Sequence, residues 1–218
     1  MSQLDFVENI LFDFDGTIVD SPKLHEKSFI NTLLENYPSL ISLFNYTSVM
    51  GLSTPRVFES LGLTAEVSQK LTKIKREKYL EMVSEGHLNL MPGASEFLSY
   101  AKLGAKKVIL ATSGAGASVI SALQSLNLGD FFDNIVTSCD VSKGKPDPDI
   151  FNLALDRNSL NSSRTVVIED SYSGVIAARR SGLKSIGVYN RQIQNEANFF
   201  FDSLADLQAS KLLPFSHG

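Results

Sequence analysis

Short apolar runs recurring between helical patterns constrain this chain more than any other feature. From about Lys106 onward the runs are Lys107–Ala111, Asn134–Thr137, Thr165–Ile168 and Ser185–Tyr189, and Ile10-Leu11-Phe12 adds one near the N-terminus. Their apolar residues are continuous rather than alternating, as strands buried on both faces require. Helix-like stretches around Ser118–Leu126, Asp149–Leu155 and Gly174–Arg180 separate them. Strand, helix, strand at this pace predicts an α/β fold, a parallel sheet with helices on both faces.

The stretch from Ser21 to Gly86 has a different texture. Val67, Leu71, Ile74 and Met82 recur at helical spacing, as do Phe29, Leu33 and Leu34, and no strand-like run is convincing. A helical module inserted after the first strand is expected, giving a core of residues 1–19 plus 87–218 and an insertion of 20–86. Pro92-Gly93 punctuates the return, and Ala94–Leu103 reads as the next helix.

Composition removes several classes. With 218 residues, 43% hydrophobic and 20% charged, the chain is long enough for a sizeable core and reads as an ordinary globular protein. A net charge of −4 argues against gripping nucleic-acid phosphates or anionic membrane. The lone Cys139 excludes a disulfide framework and a thiolate metal cluster. No apolar run is long enough to span a bilayer, and Met1–Asp5 does not open a signal peptide. A cytoplasmic protein, monomer or weak dimer, is expected.

The chemistry-bearing residues fall at the ends of the runs. Asp13-Phe14-Asp15-Gly16-Thr17 follows the first, placing two carboxylates on one side of an extended chain where Gly16 turns it. Ligands of open α/β sheets bind at the carboxyl ends of strands. Crowded carboxylates raise the pKa of one unless a cation neutralises them. Alone, the pair reads equally as a turn-initiating acidic pair. A second pair, Glu169-Asp170, ends the Thr165–Ile168 run, and parallel strands ending on one edge can bring the two pairs together. Alone, this pair with Ser171, Ser173 and Gly174 reads as a helix cap. An oxygen-rich cluster without Cys or His suits a hard cation, most simply Mg²⁺ keeping several waters. Thr112-Ser113-Gly114 puts hydroxyls and backbone N–H groups at a helix start, a natural anion site. Lys145, between Gly144 and Pro146, is a lysine in a stiff turn and a candidate fixed charge, although a lone lysine is usually just solvated.

Together these residues carry a resemblance. Asp13-x-Asp15-Gly16-Thr17, the apolar run ending in Thr112, Lys145 in Lys-Pro-Asp-Pro-Asp, and Glu169-Asp170-Ser171 with Gly174 resemble the four motifs of the haloacid dehalogenase superfamily, in order and over essentially the whole chain. The insertion resembles the helical cap of the subfamily containing phosphoglycolate phosphatase and β-phosphoglucomutase. The resemblance implies a Rossmann-like core and a Mg²⁺-dependent phosphatase acting on a small phosphorylated metabolite. Asp13 would be the nucleophile, and Asp15 the acid and then the base. Mg²⁺ would be held by Asp13, the backbone carbonyl of Asp15 and Asp170, with Glu169 a direct ligand or a partner behind it. Thr112, Lys145 and the metal would stabilise charge on the transferring group, with Ser113 and Gly114 beside it.

Asp15 separates this chain from the dehalogenases it resembles, which lack the second Asp because a halide leaves without a proton. The rival is a β-phosphoglucomutase, and Thr17, where those mutases usually carry Val, favours a phosphatase. In the insertion, His25, Arg56 and Lys75 are candidate substrate contacts. Lys70, Lys73, Lys75, Arg76 and Lys78 nevertheless share their stretch with Glu66, Glu77 and Glu81, by default an exposed, salt-laced face. From other classes, Gly114-Ala115-Gly116-Ala117-Ser118-Val119 is similar to a dinucleotide fingerprint but lacks its third glycine. A non-catalytic binding protein on the same fold is disfavoured by the intact carboxylates.

Overall fold

Ile10, Leu11 and Phe12 are wholly buried, and they form the centre of the sheet in the computed structural model, which describes residues 7–49 and 52–213. Met1–Asp5, read above as carrying no signal peptide, lies outside them. The strands are β1 (Asn9–Phe12), β2 (Lys107–Ala111), β3 (Asn134–Val136), β4 (Thr165–Glu169), β5 (Lys184–Val188) and β6 (Phe199–Phe201). They pair in the order β3-β2-β1-β4-β5-β6, and every pairing is parallel. β1 sits between β2 and β4, with Phe12 opposite Leu110 on one side and Ile168 on the other. That register aligns the ends of the three strands and puts Asp13, Thr112 and Asp170 on one edge.

The chain divides into two compact units: residues up to Asp20 with those from Asn89 onward, and Ser21–Leu88. The first contains the sheet. Its helices are α5 (Ala94–Gly104), α6 (Gly116–Ser125), α7 (Asp149–Arg157), α8 (Tyr172–Arg180) and α9 (Leu204–Ser210). One sheet face packs Leu11, Ile109 and Val167 against Ile150, Phe151 and Ala154 of α7 and Ala177 and Ala178 of α8. On the other face Phe12 meets Phe97 of α5 edge-on, ring centroids 5.9 Å apart. With both faces covered, continuous apolar runs are what the strands need. β6 and α9 follow the last run recognised in the sequence. Three residues of phenylalanine give too little pattern to mark a strand.

The second unit holds α1 (Ser21–Asn36), α2 (Tyr46–Val49), α3 (Thr54–Ser60) and α4 (Ala65–Ser84), with no strand among its described residues. Phe29 and Leu33 of α1 form its core with Val57 and Phe58 of α3 and Leu71 of α4. Thr64 caps α4 by accepting from the Val67 amide. No helix among the described residues is long and apolar enough to cross a membrane.

Candidate active site

The site is built from strand ends. The amide of Asp13 donates to Ile168 O at 3.0 Å, so the residue still lies on the β1–β4 ladder while its side chain reaches the edge. The chain then folds tightly. The amides of Thr17, Ile18 and Val19 all turn to Phe14 O, and Gly16 takes φ +84°. Glycine is needed there for space as well: a Cβ would stand 2.3 Å from Asp170 Oδ2. Thr17, fully buried, donates to Asp170 Oδ1 at 3.1 Å. The two acidic pairs, remote in sequence, thus meet at Gly16-Thr17.

Lys145 ties them electrostatically. Its Nζ lies 2.6 Å from Asp13 Oδ1, 2.7 Å from Glu169 Oε1 and 3.0 Å from Ala111 O, and it rests over the Phe151 ring. Its side chain is only 2% exposed, so this lysine is not a solvated surface residue. Glu169 is wholly buried. Its Oε2 accepts from the amides of Asp170 and Ser171 and from the Ser171 hydroxyl, while Oε1 takes the lysine. Ser171 Oγ also accepts from the Gly174 amide, capping α8. A Cβ on Gly174 would stand 1.7 Å from Glu169 Oε1, so α8 can start this close only on glycine.

The charges are unequal. Asp13, Glu169 and Asp170 bring ligand oxygens within 4.8 Å of one another. Fully ionised, these three carboxylates against one ammonium would carry an excess of two negative charges, to which the nearby Asp15 adds and which a divalent cation would offset. Burial, with the nearby Glu169 and Asp170 charges, holds Asp13 well above the usual carboxylate range despite Lys145. Burial and Glu169 push Asp170 up to about 7, with Asp15 adding to the rise and the Thr17 hydrogen bond and Lys145 opposing it. Burial would strip Lys145 of its proton, but Asp13 and Glu169 reverse that and hold it above the ordinary lysine value. Both oxygens of Glu169 are engaged, so Asp13 and Asp170 are the carboxylates disposed to face an ion, with Glu169 behind them. An all-oxygen donor set with this charge deficit fits a hard divalent metal.

The β2 end completes the edge. Thr112 is buried, its amide bonded to Val136 O and its Oγ1 accepting from the Gly114 amide at 2.9 Å. Ser113 is exposed. Asp15 is half-buried, and its Oδ2 lies 3.4 Å from where a Gly114 Cβ would stand. Asp15 therefore faces the Thr112–Gly114 turn, while Asp13 faces Lys145.

The inserted unit treats its candidates differently. Lys75 is not on an exposed face: it is 5% exposed, its Nζ 2.6 Å from His25 Nδ1 and over the rings of Phe29 and Tyr79. Lys70, Lys73 and Arg76 on the same helix are exposed, as the charge pattern predicts. His25 stacks on Tyr79, and with Lys75 and Thr54 it lines a cavity of about 140 Å³ within this unit. Arg56 is exposed and does not line it. Sequence reasoning overlooked one polar group at the edge, Asn190, whose Nδ2 donates to Asp170 O at 2.9 Å. The strand-end rule applied to the Ser185–Tyr189 run would have found it.

Residues 10–188 match the family described as haloacid dehalogenase-like hydrolase. The chain is 30% identical to a phosphorylated carbohydrates phosphatase of Thermotoga maritima, over 83% of this chain and 84% of that protein. The crystal structure of CbbY from Rhodobacter sphaeroides in complex with phosphate superposes with a TM-score of 0.75 at 25% identity, covering 93% of this chain and 96% of that one. A β-phosphoglucomutase from Clostridium difficile gives a TM-score of 0.78 over 95% and 97% of the two chains. At 22% identity that likeness speaks for the fold alone.

Proposed function

This chain belongs to the haloacid dehalogenase-like hydrolases, and from that premise we propose that it is a Mg²⁺-dependent phosphatase that cleaves a small phosphate monoester through an aspartyl-phosphate on Asp13. The observation that carries the reading is the convergence of Asp13, Lys145, Glu169 and Asp170 at one sheet edge, with Asp15 turned toward the Thr112–Gly114 loop.

Asp13 is the nucleophile. Lys145 holds Oδ1, which fixes the carboxylate and leaves Oδ2 to attack phosphorus as the P–O bond to the alcohol breaks. Asp15 protonates the departing alkoxide and then takes a proton from the water that hydrolyses the acyl phosphate. The Thr112 and Ser113 hydroxyls receive the phosphoryl oxygens, Gly114 holds that turn through its amide on Thr112 Oγ1, and Lys145 supplies fixed positive charge beside them. Asp13, the backbone carbonyl of Asp15 and Asp170 would hold Mg²⁺, backed by Glu169. When bound, the ion offsets the excess carboxylate charge and withdraws charge from the phosphoryl oxygens. Within the inserted unit His25 and Lys75 are the candidate substrate contacts, lining its own cavity, and Arg56 lies outside that cavity. The relative named for phosphorylated carbohydrates supports a sugar phosphate as that substrate.

A phosphate-ester panel with Mg²⁺ tests the reading, with Asp13→Asn as the control. That variant should lose at least about a thousandfold in kcat, because an amide is no nucleophile. Substantial residual turnover would remove Asp13 from its role. β-Glucose 1-phosphate separates the phosphatase from a mutase: it should give inorganic phosphate at best, with no glucose 6-phosphate even when a priming bisphosphate is added. Fast glucose 6-phosphate formation without phosphate release would establish the mutase instead.

A further inference from the structure

The β4–β5 ladder ends at Glu169 opposite Gly187, one residue short of Asp170. Beyond that rung a side chain takes over. Asn190 Nδ2 donates to Asp170 O at 2.9 Å, while Oδ1 accepts from the Gln192 amide at 3.1 Å and starts the 3₁₀ turn Arg191–Ile193. Because the two ends of the amide serve opposite roles, its orientation is fixed: only the NH₂ can face a carbonyl.

The residue before it is strained. Tyr189 has φ +61°, a left-handed conformation in which the Cβ of a non-glycine residue crowds the following carbonyl. It is held there by its amide on Phe201 O at 3.2 Å and by its hydroxyl on Pro92 O at 2.8 Å. This turn takes the backbone off the ladder at the point where Asn190 comes within reach of Asp170. Pro92 in turn follows Met91, whose amide donates to Ile18 O, and Ile18 follows Thr17, whose hydroxyl holds the Asp170 carboxylate. Asp170 is thus gripped at its carbonyl by Asn190 and at its carboxylate by Thr17, and the two grips are joined through Pro92.

We propose that Asn190 is a positioning residue for the cation site: it fixes the Asp170 peptide so that the carboxylate is already aimed at the ion, and the strained Tyr189 keeps Asn190 in place. This rests on the metal-dependent reading above. Strain maintained beside a functional group by surrounding hydrogen bonds is what preorganisation requires. The substrate is not touched.

Isothermal titration of Mg²⁺ into the metal-stripped full chain tests it, with wild type, Asn190→Ala and Asn190→Asp compared and each melted in EDTA alongside. Both variants should bind Mg²⁺ about tenfold or more weakly, the usual effect of removing a partner behind a ligand. Melting in EDTA should fall by only a few degrees. Asn190→Asp keeps the acceptor for Gln192 and adds a negative charge, so a purely electrostatic role would tighten binding, whereas lost positioning weakens it. In turnover, the Mg²⁺ concentration for half-maximal rate should rise while kcat at saturating Mg²⁺ stays near wild type. Binding by Asn190→Ala within twofold of wild type, or tighter binding by Asn190→Asp, overturns the proposal alone. A wild-type chain that binds no Mg²⁺ overturns the metal reading and this proposal together.

Discussion

Replacing Lys145 by Met keeps the side chain's length and removes its charge. The lost ammonium makes two charged hydrogen bonds, to Asp13 and Glu169, and its own side chain and those carboxylates are 2%, 9% and 0% exposed. Removing one partner from a buried ion pair costs about 3–5 kcal/mol when the remaining charge stays uncompensated. Here a way out exists at low pH. Asp13 is already held above the usual carboxylate range, and without the ammonium it rises further and takes up a proton. Where Asp13 is protonated the cost should fall to about 1–2 kcal/mol, that of the lost hydrogen bonds. The unfolded chain has released this proton by about pH 4. From there to the raised native value the variant's stability falls as pH rises, by up to about 1.4 kcal/mol per unit. The relative stability is fully present below the unfolded pKa and gone above the folded one. For a chain of this size each kcal/mol is worth roughly 2–4 °C. Wild-type Asp13 is itself raised, so the gap between the two proteins opens only over the interval by which the variant's Asp13 rises further, and calorimetric melting in EDTA should show it widening with pH toward about 6–20 °C. A gap that narrows as pH rises, or one under about 1 kcal/mol at every pH, would refute the coupling of Asp13, Lys145 and Glu169.

Three further expectations follow from the same geometry. Asp15→Asn should let p-nitrophenyl phosphate phosphorylate Asp13 but stall hydrolysis, so acid-quench mass spectrometry finds a phospho-enzyme; undiminished steady-state turnover would end its acid–base role. With Asp170 at about 7, Mg²⁺ competes with a proton, so below pH 7 titrated affinity should fall about tenfold per unit and flatten above it; a flat profile from pH 5.5 to 8 contradicts this. Gly174→Ala should destabilise by about 2–3 kcal/mol in denaturant titrations, because its Cβ would drive Glu169 off Lys145. Gly129→Ala, with nothing within 4 Å, should stay within about 0.5 kcal/mol, and equal effects of the two would contradict the clash.

The parallel sheet was legible because its strands are buried on both faces and so carry unbroken apolar runs. The acidic site was legible because strand ends share an edge, which makes Asp13 and Asp170 neighbours by topology. β6 was not, since three residues carry no periodicity. Lys75 was misplaced by its company: four other cations and three acids in its stretch suggest a wet face, but helical geometry turns Lys75 inward with Leu71 and Tyr79 while Lys70, Lys73 and Arg76 point out. Asn190 carries no sequence signal except its place after a strand. The saturation of Glu169 by four donors could not be read either, because three of those donors, two backbone amides and the Ser171 hydroxyl, form their geometry only where β4 breaks into α8.

The neck of the insertion has a consequence for how such a protein can change. Asp20 donates from its amide to Asn89 O at 2.9 Å, and Val19 stands opposite Leu90 in an antiparallel bridge. The chain therefore leaves and re-enters the sheet unit through a closed two-stranded gate whose pairing is made by residues of that unit itself. The span between the gateposts is close enough for a two-residue hairpin turn. Whatever is spliced there, short turn or long helical module, presents the same ends, and added length raises the entropy of closure only slowly. The sheet edge, whose Asp13–Thr17 loop runs straight into the gate, thereby keeps its own pairing whatever module is inserted. Exchange of whole insertions at this point is the change of sequence that the architecture accommodates most readily.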